Sequence, residues 1–250
     1  MSVTSAQLNV SSLTISIADH ERRFRLTVPN FFLTAGEVVG ISGSSGTGKT
    51  MFLEVLGLIR KSHSGNYELK QNQTSFDLIK IWNDPTSSPA EIRSQFFGFI
   101  PQSGGLLPFL TVSENIALSQ KISNRINPAW HQELIERLGL DEVHTLSPSA
   151  LSIGQRQRVA IARALAHNPA FIIADEPTAA LDPASAENAM RLLIESATLG
   201  ESGVIISSHD LALLDRFQMR RFTFAVETSD NTANPEVHCM LKELKIAQCD

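Results

Sequence analysis

The stretch Gly43-Ser-Ser-Gly-Thr-Gly-Lys-Thr50 decides the expected fold, because it fits the pattern G-x-x-x-x-G-K-[ST]. Glycines let a backbone approach anionic oxygens closely, and the first amides of a following helix attract negative charge. Residues 37–42 before this stretch form an apolar run typical of a strand, and residues 49–59 have the apolar spacing of a helix. Strand, glycine loop and helix together predict a phosphate-binding loop. The alternative is an ordinary glycine turn that starts a helix.

This phosphate loop supplies the first group of expected site residues. Lys49 is expected to reach the β- and γ-phosphates of a nucleotide, and the Thr50 hydroxyl to bind Mg²⁺. The residues of the loop expected to contact the nucleotide are Gly43, Ser44, Ser45, Gly46, Thr47, Gly48, Lys49, Thr50 and Met51.

Two adjacent acids follow a second apolar run. Asp175 and Glu176 come directly after residues 171–174 (FIIA), which lack polar alternation and therefore predict a buried parallel strand. Ligands of open α/β sheets bind at the carboxyl ends of strands. We predict that Asp175 holds Mg²⁺ through water and that Glu176 acts as general base on the attacking water. The alternative is that the two acids merely end a strand and begin a turn.

Strand-like and helix-like segments alternate along the chain, which predicts a three-layer α/β core with a mainly parallel sheet. Two alternating segments near the N-terminus predict half-buried strands, and a helical block over roughly residues 103–167 interrupts the core. Residues 71–95 are polar and contain Pro85 and Pro89, so they are predicted to be irregular. The predicted strands are 8–17, 24–28, 37–42, 96–100, 171–174, 204–207, 222–227 and 237–241. The predicted helices are 49–59, 130–138, 151–166 and 183–196.

The bulk composition narrows the function. The chain of 250 residues is 42% hydrophobic and carries a net charge of −5, which argues against a general nucleic-acid binder. Its two cysteines form no disulfide framework, so a reducing compartment is expected. Residues 1–10 do not resemble a signal peptide, and no stretch approaches the ~20 apolar residues that span a bilayer. If the protein acts at a membrane, another chain must supply the membrane part.

Five motifs in a fixed order, spread over roughly residues 8–225, carry a resemblance to a known family. After the phosphate loop come Phe99-Ile-Pro-Gln102, the run Leu151-Ser-Ile-Gly-Gln155 followed by a basic helix, Ala174-Asp-Glu-Pro-Thr178 with Ala180-Leu-Asp182, and Ser208-His209-Asp210. Together they resemble the nucleotide-binding domain of ABC transporters. This resemblance implies a P-loop NTPase fold, with an N-terminal antiparallel β subdomain and an inserted helical subdomain over 103–167 between nucleotide-binding segments 1–102 and 168–250.

The resemblance also implies roles for individual residues. Gln102 would sense Mg²⁺ and water, and His209 would act as a switch on the γ-phosphate. Glu176 and Lys49 would complete the catalytic set, with Thr50, Gln102 and Asp175 around Mg²⁺. Family members work as head-to-tail pairs that hold two ATP molecules between subunits, so a second copy or a related subunit is implied. The residues expected to reach ATP held by that partner are Ser152, Gly154, Gln155 and Asp182.

Several of these residues also have structural interpretations. Ser152 and Gln155 form a capping box, and Asp182 before Pro183 is a good helix start. His209 has the alternative of a buried, hydrogen-bonded histidine. The arginines of the basic helix have the alternative of a simply solvated face; they are Arg156, Arg158 and Arg163.

The sequence also departs from the family pattern. Met51 replaces a usual Ser or Thr, which would cost ~1 kcal/mol of nucleotide affinity. Ile153 replaces a signature glycine, and its bulk would either crowd the partner's phosphate or pack outward. For the aromatic residue that normally stacks on adenine, His20 and Phe24 are the candidates.

Residues 104–116 and Ala174 resemble the bacterial macrolide-exporter and lipoprotein-releasing ATPases. The first hypothesis is therefore the ATP-hydrolysing subunit of a transporter, cytoplasmic and held at the inner face of the membrane by separate permease subunits. The second is a membrane-coupled ATPase that transmits force or signal without solute transport. The third is a soluble ABC ATPase that acts on ribosomes or DNA. Four apolar residues are either part of the permease dock or core of the helical subdomain: Leu106, Leu107, Phe109 and Leu110.

Overall fold

The computed structural model describes residues 6–18, 23–228 and 236–244. These residues belong to two compact units. The first unit takes the chain up to Pro89 and again from His209 onward, and the second takes residues 90–208. The division predicted from the family, with a helical subdomain over 103–167, follows different boundaries and stays a prediction.

The secondary structure alternates between strands and helices, as the sequence predicts. The strands are β1 (Ala6–Ala18), β2 (Arg23–Thr34), β3 (Val38–Ser42), β4 (Ser64–Gln71), β5 (Thr74–Asp77), β6 (Phe97–Ile100), β7 (Phe171–Asp175), β8 (Gly203–Ser207), β9 (Arg220–Thr228) and β10 (Glu236–Leu244). The helices are α1 (Lys49–Leu56), α2 (Leu78–Ile81), α3 (Pro89–Phe96), α4 (Val112–Ile122), α5 (Pro128–Arg137), α6 (Ile153–Leu165), α7 (Pro183–Leu199) and α8 (Leu211–Arg216).

The strands of the first unit form a mixed sheet in the order β5-β4-β1-β2-β10-β9-β3. Strand β1 pairs antiparallel with both β2 and β4, as predicted for the N-terminal β subdomain. The pairs β2–β10 and β3–β9 are parallel. Every second side chain of β1 is buried on one face of this sheet, up to an irregularity in its pairing with β4 after Ser11.

An aromatic cluster fixes helix α1 in the first unit. The ring of Phe52 on α1 lies 5.4 Å from the ring of Phe31 on β2 and 5.9 Å from that of Phe224 on β9, edge to face in both cases. Phe222 on β9 lies 5.2 Å from Phe31. Such pairs contribute about 0.5–1.5 kcal/mol beyond their buried area. They hold the start of α1, and with it the end of the phosphate loop, in a fixed place.

The second unit contains three parallel strands in the order β6-β7-β8. All residues of β7 and β8 are buried, which explains why their sequences show no polar alternation. Because the strands run parallel, their carboxyl ends lie at one edge of the sheet. Gln102, Glu176 and Ser207 follow or end these strands at that edge. The parallel core predicted from the sequence is therefore confirmed in this unit.

The prediction that residues 71–95 are irregular was wrong, because β5, α2 and α3 lie there. The Asp77 carboxylate accepts hydrogen bonds from the Ile79 and Lys80 amides and so starts α2. Pro89 is the first residue of α3, where its missing N–H is no loss. Pro85, by contrast, lies between the two helices. The polar composition of residues 71–95 indicates exposure to solvent, which short exposed helices share with loops.

Candidate phosphate-binding and catalytic site

The phosphate loop joins β3 to α1 and depends on left-handed glycines. Gly46 has φ of 81° and Gly48 has φ of 94°, values that other residues adopt at a cost. A Cβ atom at Gly48 would also lie 3.0 Å from Cζ of Phe24. Gly48 has no side chain with which to cap α1, so the N-terminal end of the helix faces the loop without a protein carboxylate or hydroxyl from its own cap.

Lys49 lies inside this loop, with only 5% of its surface exposed. Its Nζ donates to the Gly43 carbonyl at 2.7 Å and to the Ser44 carbonyl at 3.1 Å. The same Nζ lies 3.3 Å from Nε2 of His209. The structure thus brings together two residues that lie far apart in the sequence. His209 is exposed, so the alternative of a buried histidine was wrong.

The ring of Phe24 lies beside the phosphate loop. It is half-buried on β2 and reaches Gly48, as the close approach to that glycine shows. The other candidate, His20, lies outside the described residues. Thr50 is exposed and Met51 half-buried at the start of α1.

The acids of the second unit are held by a serine that sequence reasoning missed. Asp175 is 4% exposed, and its Oδ1 accepts a hydrogen bond from the Ser207 hydroxyl at 2.7 Å. The Ser207 oxygen in turn accepts the Glu176 amide at 2.9 Å. The available signal was a polar residue at the end of the apolar run over 204–207, directly comparable to Asp175 at the end of its own strand.

Glu176 has a strained backbone and a polar neighbour. Its φ is 48°, a left-handed value that glutamate seldom adopts. Such outliers concentrate at functional sites, where the surrounding structure enforces them. The Gln102 amide donates from Nε2 to Glu176 Oε2 at 3.3 Å. The predicted base and the predicted glutamine are therefore in contact, which goes beyond a pair of acids that merely ends a strand.

The residues expected to serve a partner subunit stand at helix starts. Ser152 caps α6 and forms the predicted capping box, since the Gln155 amide donates to its hydroxyl and its own amide donates to Gln155 Oε1. Ile153 is 51% exposed, and a Cβ at Gly154 would meet no atom within 4 Å.

Asp182 caps α7 ahead of Pro183, again as predicted. Hydrogen bonds from the side chain and then the backbone of Ser185 hold the pKa of the Asp182 carboxyl below its usual value. The carboxylate therefore stays ionised to a lower pH than an ordinary aspartate.

The arginines of α6 do more than form a solvated face. Each is half-buried and donates to a backbone carbonyl of the second unit. The acceptors are Leu151 for Arg156, Leu138 and Gly139 for Arg158, and Gly104 and Gly105 for Arg163. The interpretation as solvated charges alone was wrong.

Comparison with known proteins decides the family. A family model described as ABC transporter matches residues 26–179, more than half of the chain. The chain belongs to the ABC transporter family. The family resemblance drawn from the five motifs is thereby confirmed.

Individual relatives within the ABC transporter family place the chain more closely. It is 37% identical to the lipoprotein-releasing system ATP-binding protein LolD of Idiomarina loihiensis, over 76% of this chain and 81% of the relative. It is 38% identical to the uncharacterized ABC transporter ATP-binding protein YvrO of Bacillus subtilis, over 72% and 77%. It is also 38% identical to the macrolide export ATP-binding/permease protein MacB of Vibrio parahaemolyticus. These matches confirm the predicted nearness to the macrolide-exporter and lipoprotein-releasing group.

A solved structure confirms the P-loop NTPase fold. The chain is similar to a dimeric ATP-binding cassette in a post-hydrolysis state bound to ADP and Pi, with a TM-score of 0.74 and 30% identity over 86% of this chain and 93% of that one.

The chain matches only part of the length of its exporter relatives. The alignment with MacB covers 81% of this chain but 31% of that protein, so the chain spans about a third of the exporter relatives it matches. Among the described residues, no helix has the length and apolarity to cross a bilayer.

Proposed function

We propose that the chain binds ATP with Mg²⁺, hydrolyses it in a head-to-tail dimer and thereby drives a separate membrane permease. The observation that carries this proposal is the ordered acid pair. Asp175 and Glu176 are both fixed by Ser207, and Glu176 is in contact with Gln102. This arrangement suits activation of water for attack on a phosphoryl group.

Nucleotide binding is assigned to the first unit. Lys49 would exchange the Gly43 and Ser44 carbonyls for β- and γ-phosphate oxygens, and a charged acceptor makes the stronger hydrogen bond. The glycine backbone would supply amide donors to the same phosphates. The Phe24 ring beside Gly48 would stack on the adenine.

The proposed magnesium ligands are all hard oxygen donors, which is the set that Mg²⁺ prefers. They are the Thr50 hydroxyl, the Asp175 carboxylate through water, and the Gln102 amide oxygen. When bound, Mg²⁺ supplies charge neutralisation at the β- and γ-phosphate oxygens.

The chemical step is assigned to Glu176. Its carboxylate takes a proton from the water whose oxygen attacks the γ-phosphorus, and the bond to the β-phosphate oxygen breaks to give ADP and inorganic phosphate. Gln102 orients Glu176 and the water. His209 and Lys49 stabilise the negative charge on the γ-phosphoryl oxygens.

The dimer is proposed because the residues expected to reach ATP held by a partner lie at the starts of two helices. Ser152 and Asp182 cap helices, Gln155 completes the capping box of Ser152, and a Cβ at Gly154 would meet no atom within 4 Å. A helix N-terminus is favourable for a γ-phosphate held by a partner. The similar cassette solved with ADP and Pi is itself dimeric.

The permease partner is proposed from one exposed ring and from the relatives. Phe109 is 78% exposed, whereas the three leucines around it are half-buried. Isolated aromatic anchors of this kind commonly fill a partner's apolar pocket. Several relatives carry an ATP-binding part and a permease in one chain, as their names state. The protein would then work in the cytoplasm, held at the inner face of the membrane by the permease, and would need no nucleic acid.

The Glu176→Gln variant tests the catalytic assignment. It should bind ATP normally, lose ATP turnover by at least about 100-fold and elute as a dimer with ATP in size-exclusion chromatography. Adding Ser152→Arg in the same chain should abolish the dimer but leave ATP binding to the monomer intact. Normal hydrolysis by Glu176→Gln would overturn the assigned base, and a dimer that survives Ser152→Arg would overturn the shared site.

A further inference from the structure

A guanidinium on α6 grips the loop that follows β6. Arg163 donates from one terminal nitrogen to the Gly105 carbonyl at 2.5 Å and from the other to the Gly104 carbonyl at 3.1 Å. Burial lowers the pKa of Arg163, but a guanidinium remains charged throughout the physiological range. Two charge-assisted hydrogen bonds from one planar group fix both the position and the orientation of the peptide they hold.

The peptide that Arg163 holds closes the turn that contains Gln102. The Gly104 amide donates to the Pro101 carbonyl at 2.8 Å, so Gln102 lies within a turn whose last residue Arg163 grips. Gly105 has φ of 60°, and a Cβ there would approach Cγ of Pro101 to 2.8 Å. The glycine therefore lets its carbonyl face Arg163 while the chain passes close to Pro101.

The far end of the same loop is held by a second buried side chain. Asn115 on α4 is fully buried, and its Oδ1 accepts the Leu107 amide at 2.9 Å. Its Nδ2 is directed at the carbonyls of Leu107, Leu110 and Thr111, at 3.1, 3.2 and 2.9 Å. With both ends fixed, the loop over residues 101–111 is an ordered segment that carries Gln102 at its start and the exposed Phe109 near its end.

We propose that Arg163 is a positioning residue for ATP hydrolysis, which holds the turn over 101–104 so that Gln102 keeps its contact with Glu176. This inference rests on the proposed function and adds a residue that touches neither nucleotide nor water. Because Arg163 lies on α6, its hydrogen bonds connect the helix capped by Ser152 to the loop that carries Phe109. A protein that contacts Phe109 and an ATP molecule that a second subunit holds against Ser152 would then act on residues that these hydrogen bonds connect.

The matched pair Arg163→Lys and Arg158→Lys tests the proposal. Arg158 lies on the same helix and also donates to two successive carbonyls, those of Leu138 and Gly139 at the end of α5. Lysine keeps the charge in both variants but lacks the planar fork. Arg163→Lys should lower kcat for ATP by about 10-fold or more and leave KM within about two-fold, since misplacing a reacting group costs rate rather than binding. Both variants should lower the melting temperature by similar amounts, but Arg158→Lys should leave kcat within about two-fold of the wild-type value.

Equal loss of kcat in both variants, or unchanged kcat in Arg163→Lys, would overturn the positioning role. Hydrogen exchange separates this outcome from failure of the proposed function. Amides of the peptide over 101–111 should exchange faster in Arg163→Lys than in the wild type and in Arg158→Lys, whether or not the protein hydrolyses ATP. Unchanged exchange at this peptide would overturn the ordering of the loop by Arg163. Absence of ATPase activity in the wild type would overturn the proposed function and with it the positioning role, while faster exchange in Arg163→Lys would still show that Arg163 orders the loop.

Discussion

The phosphate loop and the loop over residues 101–111 each connect a strand to a helix, but different kinds of contact order them. Each leaves the carboxyl end of a buried strand and leads toward a helix. Hydrogen bonds within the phosphate loop itself order most of it, since Thr47 and Lys49 donate to the carbonyls of Ser44 and Gly43, and the aromatic cluster fixes only the helix that follows. The loop over residues 101–111 is held by a residue distant in sequence, since Arg163, which donates to the Gly105 carbonyl, lies 58 residues further along the chain.

This difference shows that a loop can be ordered by local or by remote side chains. A loop ordered by hydrogen bonds among its own residues keeps those bonds when distant helices are perturbed. A loop held by other helices follows those helices, which suits a segment that is proposed to report on a partner. The two loops should therefore respond differently to the same kind of perturbation.

The largest expected effect comes from a substitution in the phosphate loop. Lys49→Ala should weaken ATP binding several hundred-fold, because about 3–4 kcal/mol of charge-assisted hydrogen bonding to phosphate is lost. Isothermal titration calorimetry measures this, with Lys61→Ala, whose amine donates to Asn83, as control. Hydrogen exchange over residues 101–111 should not change. Faster exchange there would contradict the independence of the two loops.

A smaller effect is expected from low pH, through a histidine that contacts β6, the strand before the loop over residues 101–111. His167 is buried, its Nε2 lies 3.2 Å from the Phe97 carbonyl on β6, and burial lowers its pKa from 6.5 to about 4. The unfolded chain then binds this proton at higher pH than the folded chain. The contribution of His167 to the free energy of unfolding is fully present above pH 6.5 and falls as the pH drops toward 4. Between pH 7 and pH 5 the loss is about 2 kcal/mol.

Urea unfolding of the wild type and of His167→Gln at the two pH values measures this term. The glutamine keeps a donor for the Phe97 carbonyl but does not titrate. The pH dependence of the free energy of unfolding should shrink by about 2 kcal/mol in the variant. An identical pH dependence in both proteins would show that His167 protonates equally in both states.

The smallest effect sharpens the account of the phosphate loop. Met51→Thr should restore a hydroxyl for the α-phosphate and tighten ATP binding about five-fold, from ~1 kcal/mol for one hydrogen bond. Met51→Val is the matched control, because valine has nearly the shape of threonine without the hydroxyl. If both variants bind ATP equally, the hydroxyl has no role at this position.

The same contrast explains what could be predicted from the sequence. The contacts of Lys49 with its own loop and the caps at Ser152 and Asp182 lie within six residues of their partners, so the pattern of neighbouring residues indicates them. The acid pair was indicated by its place directly after an apolar run, although its partners Ser207 and Gln102 lie far along the chain. Ser207, Asn115 and Arg163 act on segments that only the fold brings near. Periodicity and spacing along the chain do not show which distant residues these side chains contact; for Ser207 the sequence shows only a polar residue at the end of an apolar run.

Helices were missed for a related reason. Thr111 and Glu114 form a capping box at the start of α4, and Asp77 caps α2, so both helices did have local start signals. Their apolar spacing is weak because they are short or partly exposed, and tertiary packing rather than propensity stabilises them. Start signals deserve as much weight as periodicity in polar segments such as 71–95.

The left-handed backbone of Glu176 has a consequence for protein engineering. Glycine and asparagine adopt a φ of 48° at lower cost than glutamate, by roughly 1 kcal/mol. A library screened only for heat resistance would therefore enrich these residues at position 176 and discard the carboxylate. Screens that score folding and screens that score turnover would drive this one position in opposite directions, and thermostable variants of the protein should be sequenced there first.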